Sequence, residues 1–141
     1  MCCKDKFNVF SPGDHASTYG GNPLACAAGL AVASAFDNEN LLNNVKARGI
    51  QFKQLANQLL AKYPTIIQEI RGWGLINGIE IKAETGITAA MITKELMEEG
   101  LLVVPAGPQV VRFVPPLIVN ENEILQAMNK LENALIKLSK K

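Results

Sequence analysis

The stretch that begins at Asn22-Pro23 places the hardest constraint on this 141-residue chain. Asn suits a helix N-cap, and Pro suits the first helical position because its ring presets φ and its missing N–H has no intrahelical use. Residues 24–36 then read Leu-Ala-Cys-Ala-Ala-Gly-Leu-Ala-Val-Ala-Ser-Ala-Phe, without a single charge. A helix apolar nearly all round is expected to be buried, and its small side chains let other backbone approach closely. Covering it on every side strains one small domain, so the helix reads as a piece of a larger one.

The rest of the chain is more ordinary. Residues 7–10 suit a short strand, followed by a loop over 11–21. Asp37-Asn-Glu-Asn40 interrupts the first helix. A long amphipathic helix is expected next, with Leu41, Leu42, Val45, Phe52, Leu55, Leu59 and Leu60 on one broad face, and Pro64 blocks its continuation. Two strand-like runs, 66–70 and 75–81, flank Arg71-Gly-Trp-Gly74, which reads as a structural turn with Trp73 packed over it. Leu75, Asn77, Ile79 and Ile81 alternate against Ile76, Gly78 and Glu80, the period of a half-buried strand. Residues 88–99 suit a helix closed by Gly100. Strand runs 101–104 and 110–114 flank the turn Pro105-Ala-Gly-Pro108. Asn120 and Glu123 have capping-box spacing before a last helix that ends near Leu138. The expected fold class is α+β: helices on one face of a small, mostly antiparallel sheet. Residues 1–37 are assigned to one domain and 38–141 to another.

Composition narrows the function classes. Apolar residues make up 48% and charged residues 19%, as in a globular chain, and the net charge is +1. The one basic cluster, Lys137-Leu-Ser-Lys-Lys141, reads as solvated surface, so neither nucleic-acid nor membrane binding is expected. Cys2, Cys3, Cys26 and the single His15 make no metal-ligand spacing, and no metal is expected. An odd cysteine count without targeting character at Met1-Cys-Cys-Lys-Asp-Lys6 suggests a cytoplasmic setting, and so abrupt a start suggests a truncated chain.

Two places carry candidate chemistry. Ser17-Thr18-Tyr19-Gly20-Gly21 puts hydroxyls and glycines just before a helix N-terminus, where an anion such as phosphate is favoured; a plain capped turn is the other reading. Neither a Walker A loop nor a G-x-G-x-x-G fingerprint occurs. Arg112, inside the apolar run Val110-Val-Arg-Phe-Val114, suits either a substrate carboxylate or a structural ion pair. His15 lacks a partner for base catalysis and reads as a loop residue.

Four stretches, in order, resemble class III aminotransferases: Pro12-Gly-Asp-His-Ala-Ser-Thr-Tyr-Gly-Gly-Asn-Pro-Leu24, Glu69-Ile-Arg-Gly-Trp-Gly-Leu-Ile76, Glu99-Gly-Leu-Leu-Val-Val-Pro105 and Val111-Arg-Phe-Val-Pro-Pro-Leu-Ile118. The wording Asp14-His-Ala-Ser-Thr18 and the Pro105–Pro108 turn are most similar to the acetylornithine branch of the acetylornithine/ornithine group. The resemblance implies a fold-type I enzyme that binds pyridoxal 5′-phosphate at a homodimer interface and acts on small-molecule amino acids in arginine biosynthesis. Residues 1–37 would be the tail of its large cofactor domain and 38–141 its small C-terminal domain. By motif position, Thr18 would hydrogen-bond the cofactor phosphate in the partner subunit's site, Ser17 would lie by the phosphate and substrate, and Arg112 would grip the substrate α-carboxylate. The family's Schiff-base lysine lies upstream of the His-x-Ser-Thr segment, and nothing in residues 1–10 matches it; Lys4 and Lys6 lack the context. No catalytic residue is therefore assigned, and these residues alone are expected not to transaminate. Ornithine and succinylornithine aminotransferases are the neighbouring alternatives, and a non-catalytic interaction domain is the alternative of a different class.

Overall fold

The computed structural model describes residue 6 and residues 8–11, 13–14 and 17–139. The chain divides into two compact units, Met1–Glu39 and Asn40–Lys141.

In the first unit, α1 spans Pro23–Asn38. Asn22 is in extended backbone and its Oδ1 accepts the Ala25 N–H at 2.9 Å, the cap expected from the sequence. The helix continues through Asp37 and Asn38, and the Glu39 N–H closes it on the Ala35 carbonyl. Contrary to expectation, α1 has no buried residue; Leu24 is 81% exposed and Leu30 70%. Among the described residues of this unit, no strand or second α-helix stands against it. Residues 8–10 are irregular rather than a strand, since an extended segment without a neighbouring edge leaves its ladder hydrogen bonds unmade. Phe7 lies outside the described residues.

The second unit contains α2 (Leu41–Lys62), β1 (Ile67–Trp73), β2 (Ile76–Ile81), a 3₁₀ turn (Ala83–Thr85), α3 (Ala89–Glu98), β3 (Val104–Pro105), β4 (Val110–Phe113) and α4 (Glu121–Leu138). The strands form one antiparallel sheet ordered β1-β2-β4-β3. Alternate residues Asn77, Ile79 and Ile81 of β2 and Val111 and Phe113 of β4 are buried under the helices. This is the expected α+β layering. Phe52 of α2 meets Phe113 edge to face at 5.3 Å, and Ile92, Leu96, Leu131 and Leu135 are fully buried from α3 and α4. Each such side chain contributes about 1.5–3 kcal/mol.

The face of α2 differs from the apolar pattern in two ways. Leu42 is exposed, because it lies a full 100° around the helix from buried Leu41. Gly49, which carries no hydrophobic signal, is buried at the centre of the packed stripe. A Cβ on Gly49 would stand 2.7 Å from the Gly74 carbonyl oxygen, so the helix backbone lies directly on the β1–β2 turn.

That turn is shorter than expected. Arg71, Gly72 and Trp73 are strand residues, Trp73 pairs with Ile76, and only Gly74 and Leu75 connect them. Gly74 holds a positive φ of 56°, the arrangement two-residue hairpins assign to glycine at the first turn position. The buried Asn77 side chain donates to the Gly74 carbonyl at 2.9 Å. Trp73 does not pack over the turn; it is 89% exposed.

Helix ends follow local chemistry. The Gly100 N–H reaches Met97 at 3.0 Å and the Leu101 N–H reaches Leu96 at 2.8 Å, with Gly100 at φ 74°. Leu101 is thereby committed to the helix exit, and β3 begins only at Val104. Pro115 has no N–H for a ladder, and β4 ends at Phe113. The capping box of α4 is complete: the Glu123 N–H donates to Asn120 Oδ1 and the Asn120 N–H to Glu123 Oε2.

Two stability predictions follow from this packing. Gly→Ala inside a helix ordinarily stabilises by about 1 kcal/mol. Gly49→Ala should instead destabilise by about 1–3 kcal/mol, read as a lower urea midpoint at unchanged slope; an equal or higher midpoint would contradict the contact. Elsewhere, Glu132 Oε1 of α4 accepts from Lys62 Nζ and from Tyr63 Oη, tying the end of α2 to α4. The Lys62 hydrogen bond, then that of Tyr63, holds the Glu132 carboxyl below its ordinary 4.5. Its stabilisation is present above that value and is lost as pH falls through the lower folded value. The stability difference between the native chain and Glu132→Gln should therefore shrink as pH drops below about 4.5, and a constant difference would contradict the pairing.

Candidate functional site

The loop ahead of α1 is more self-satisfied than its composition suggests. Ser17 Oγ accepts the N–H groups of Tyr19 at 3.2 Å and Gly20 at 3.1 Å. Asn22 Nδ2 donates to the Tyr19 carbonyl at 2.7 Å, while its Oδ1 already holds the Ala25 N–H. Gly21 takes a φ of 77°, a conformation side chains disfavour. Three backbone donors that an anion would use are thus occupied within the loop. What remains is the hydroxyl of Thr18, exposed and without a partner among the described residues, and the Ser17 hydroxyl proton. A phosphate group fits these two hydroxyls beside a helix N-terminus better than it fits a backbone cradle. His15 and Ala16 lie outside the described residues.

The second place is the sheet face turned away from the helices. Val111 and Phe113 are buried, so Arg112 between them emerges on the opposite, exposed face. Register sets its neighbours: Arg112 pairs with Gly78, and Gly78 pairs with Arg71. Two arginines thus flank a glycine on one face. A shallow depression of about 290 Å³ lies there, lined in part by Arg71, Gly72, Gly78, Ala106 and Arg112.

The two guanidinium groups are not equivalent. Arg71 Nη1 donates to Glu80 Oε2 and, at 3.2 Å, to Glu69 Oε2. The Glu80 hydrogen bond raises the Arg71 pKa further above its ordinary value. Arg112 has no ion pair or side-chain hydrogen bond among the described residues. Of the two sequence readings for Arg112, the structural ion pair is absent among these residues. The Arg71–Glu69–Glu80 cluster escaped the sequence reading; its signal, residues two apart on paired strands, becomes visible only once the register is known.

Ser17 and Thr18 belong to the first unit and Arg112 to the second. Among the described residues, no group of three or more His, Cys, Asp or Glu side chains is placed to hold a metal, and no helix is long and apolar enough to cross a membrane.

Known proteins carry the same pattern. Residues 1–135 match the aminotransferase class-III family. The chain is 55% identical over 138 residues to the acetylornithine aminotransferase of a Synechocystis species, covering 98% of this chain and 32% of that protein. The ornithine aminotransferase of Toxoplasma gondii superposes with a TM-score of 0.80 at 34% identity, over 94% of this chain and 31% of that one. The acetylornithine aminotransferase of Elizabethkingia anophelis gives 0.78 at 32% identity, over 92% and 32%. The chain thus spans about a third of the length of the curated relatives it matches. By its family match over residues 1–135, its sequence identity and its fold, the chain belongs to the pyridoxal-phosphate-dependent class-III aminotransferases.

Proposed function

We propose that the chain supplies part of the active site of an acetylornithine aminotransferase. The reaction moves the δ-amino group of N2-acetylornithine to 2-oxoglutarate, giving N-acetylglutamate 5-semialdehyde and glutamate for arginine biosynthesis. The observation that carries this reading is Arg112, a guanidinium with no ion pair among the described residues, facing outward opposite Gly78. Its planar fork suits a carboxylate held by two parallel hydrogen bonds. Acetylornithine and glutamate both present an α-carboxylate, but the reacting amine is δ in the first and α in the second, so a fixed Arg112 grips that group in one half-reaction rather than in both.

Pyridoxal 5′-phosphate, when bound, supplies the electron sink that allows an amino group to change carbon. Thr18 donates its hydroxyl to the phosphate, and Ser17, whose oxygen already accepts two backbone N–H groups, donates its proton beside it. These residues hold and orient, and proton transfer is not assigned to any of them. The chain spans about a third of its relatives, so the complete reaction belongs to a protein that includes the remaining length. A homodimer with the phosphate site shared between subunits, in the cytoplasm, completes the proposal, with residues 1–37 on the large domain and 38–141 forming the small one.

Acetylornithine is preferred to ornithine as donor because curated relatives at 54–55% identity bear the former name. The ornithine enzyme of Toxoplasma gondii stands at 34%. In the complete enzyme, kcat/KM for acetylornithine should exceed that for ornithine, and the reverse order would favour the second name.

Two substitutions in the complete enzyme test the site. Hydrogen bonds to charged groups are worth about 1.5–3 kcal/mol, or roughly ten- to hundredfold in affinity. Arg112→Gln should raise KM by about that factor for at least one of acetylornithine and glutamate, and an unchanged KM for both would remove Arg112 from the carboxylate site. Thr18→Ala should weaken pyridoxal 5′-phosphate binding about tenfold in a titration of the stripped enzyme; unchanged affinity would remove Thr18 from the phosphate site.

A further inference from the structure

Gly78 sits in the interior of β2, where glycine costs backbone entropy and offers no side chain to pack. The other two glycines of the hairpin have reasons within their own unit. A Cβ on Gly72 would stand 2.2 Å from the Ile76 carbonyl oxygen, and Gly74 takes a φ of 56°. Gly78 has neither reason. Its φ lies outside the left-handed region, and its pairing with Arg71 and Arg112 is free of any bulge. A Cβ there would meet Val110 Cγ1 at 3.1 Å and the Arg71 carbonyl oxygen at 3.9 Å. The first is the end of a side chain and can give way, and the second is ordinary contact.

A strand glycine that neither a bulge nor its own backbone angle requires marks a place where another group comes close. Its neighbours indicate the chemistry of that group. Arg112 is directly opposite Gly78 on one side and Arg71 on the other. Asn77, Ile79, Val111 and Phe113 are buried, so alternation turns Gly78 and both arginines to the outer face. There they line the depression of about 290 Å³, to which Gly78 contributes backbone alone. Directly opposed residues have Cβ atoms about 4.5–5.5 Å apart, so any side chain at position 78 would lie against the stem of Arg112.

We propose that Gly78 is a specificity-determining residue: the space left by its missing side chain is where the substrate carboxylate settles against Arg112. The inference rests on the reading of Arg112 given above. A methyl group at position 78 displaces Val110 slightly and takes little of the depression. The isobutyl group of leucine fills it and holds a carboxylate away from the guanidinium. The effect falls on binding of the carboxylate, while the bond-making steps that follow are untouched. The fold is kept, because β-branched and large apolar residues suit a strand better than glycine does.

The test is a set of variants in the complete holoenzyme: Gly78→Ala, Gly78→Val, Gly78→Leu, Arg112→Gln, and Gly78→Leu combined with Arg112→Gln. The readouts are KM and kcat for acetylornithine and glutamate, the Kd of glutarate, an unreactive dicarboxylate, and the thermal midpoint. The Kd of glutarate should rise in the order Ala, Val, Leu. For Gly78→Leu the rise should reach roughly ten- to hundredfold, the range for hydrogen bonds to a charged group. The thermal midpoint should not fall, and kcat should stay near the native value. The substrate whose KM rises in Gly78→Leu should be the one whose KM rises in Arg112→Gln. The combined variant should bind glutarate no worse than Arg112→Gln alone, since both changes remove one interaction. Effects that add in the combined variant overturn the proposal. So does a falling midpoint with loss of kcat for both substrates, which would mean that protein rather than substrate lies on Gly78. The Arg112→Gln arm separates the two claims. If it leaves glutarate binding and both KM values unchanged, the reading of Arg112 fails; if it weakens binding while Gly78→Leu does not, only the role of Gly78 fails.

Discussion

The backbone of α2 rests on the β1–β2 hairpin at Gly49 and Gly74, and the second unit is arranged around that contact. Neither position tolerates bulk: a Cβ on Gly49 would sit 2.7 Å from the Gly74 oxygen, and Gly74 is in the left-handed region. The approach lets Phe52, Ala56 and Leu59 reach the sheet from the same helix, and it fixes the hairpin tip against them. Asn77 secures the tip from within the core through its hydrogen bond to the Gly74 carbonyl. With the hairpin so held, strand alternation leaves no freedom about which residues face outward. Arg71, Gly78 and Glu80 emerge on the exposed side, and β4 adds Arg112 beside them. A one-residue slip would bury the charges and expose Ile79 and Ile81.

Much of this arrangement is legible in the sequence wherever a period or a cap carries it. The alternation of β2, the Gly100 exit from α3 and the Asn120/Glu123 box all appear as read, because each depends on residues close in sequence. What is not legible depends on distant partners. Gly49 has no side chain to announce its burial, and its need for smallness comes from Gly74 on another element. Trp73 looks like a core residue by type, but the pairing of Trp73 with Ile76 carries it to the hairpin's exposed tip. Leu101 suits a strand by propensity but spends its N–H on the preceding helix. The burial expected for α1 depends on covering elements that the first unit does not contain among its described residues.

The candidate site divides in the same way. Thr18, Ser17 and Arg112 stand out by residue type and motif, and the structure adds which of their polar groups are still free. Ser17 spends its oxygen on two backbone N–H groups and Thr18 does not, a distinction composition does not contain. Arg71 and Arg112 are indistinguishable by type, and both sit on exposed strand faces. Only the register shows that Arg71 lies among Glu69 and Glu80, while Arg112 has no ion pair among the described residues.

The central claim is that Arg112 receives a substrate carboxylate. The most direct measurement is a crystal structure of the complete holoenzyme with glutarate bound. The account predicts one glutarate carboxylate at about 3 Å from the Arg112 guanidinium nitrogens. Glutarate held by other cations, with Arg112 making no contact to it, would contradict it.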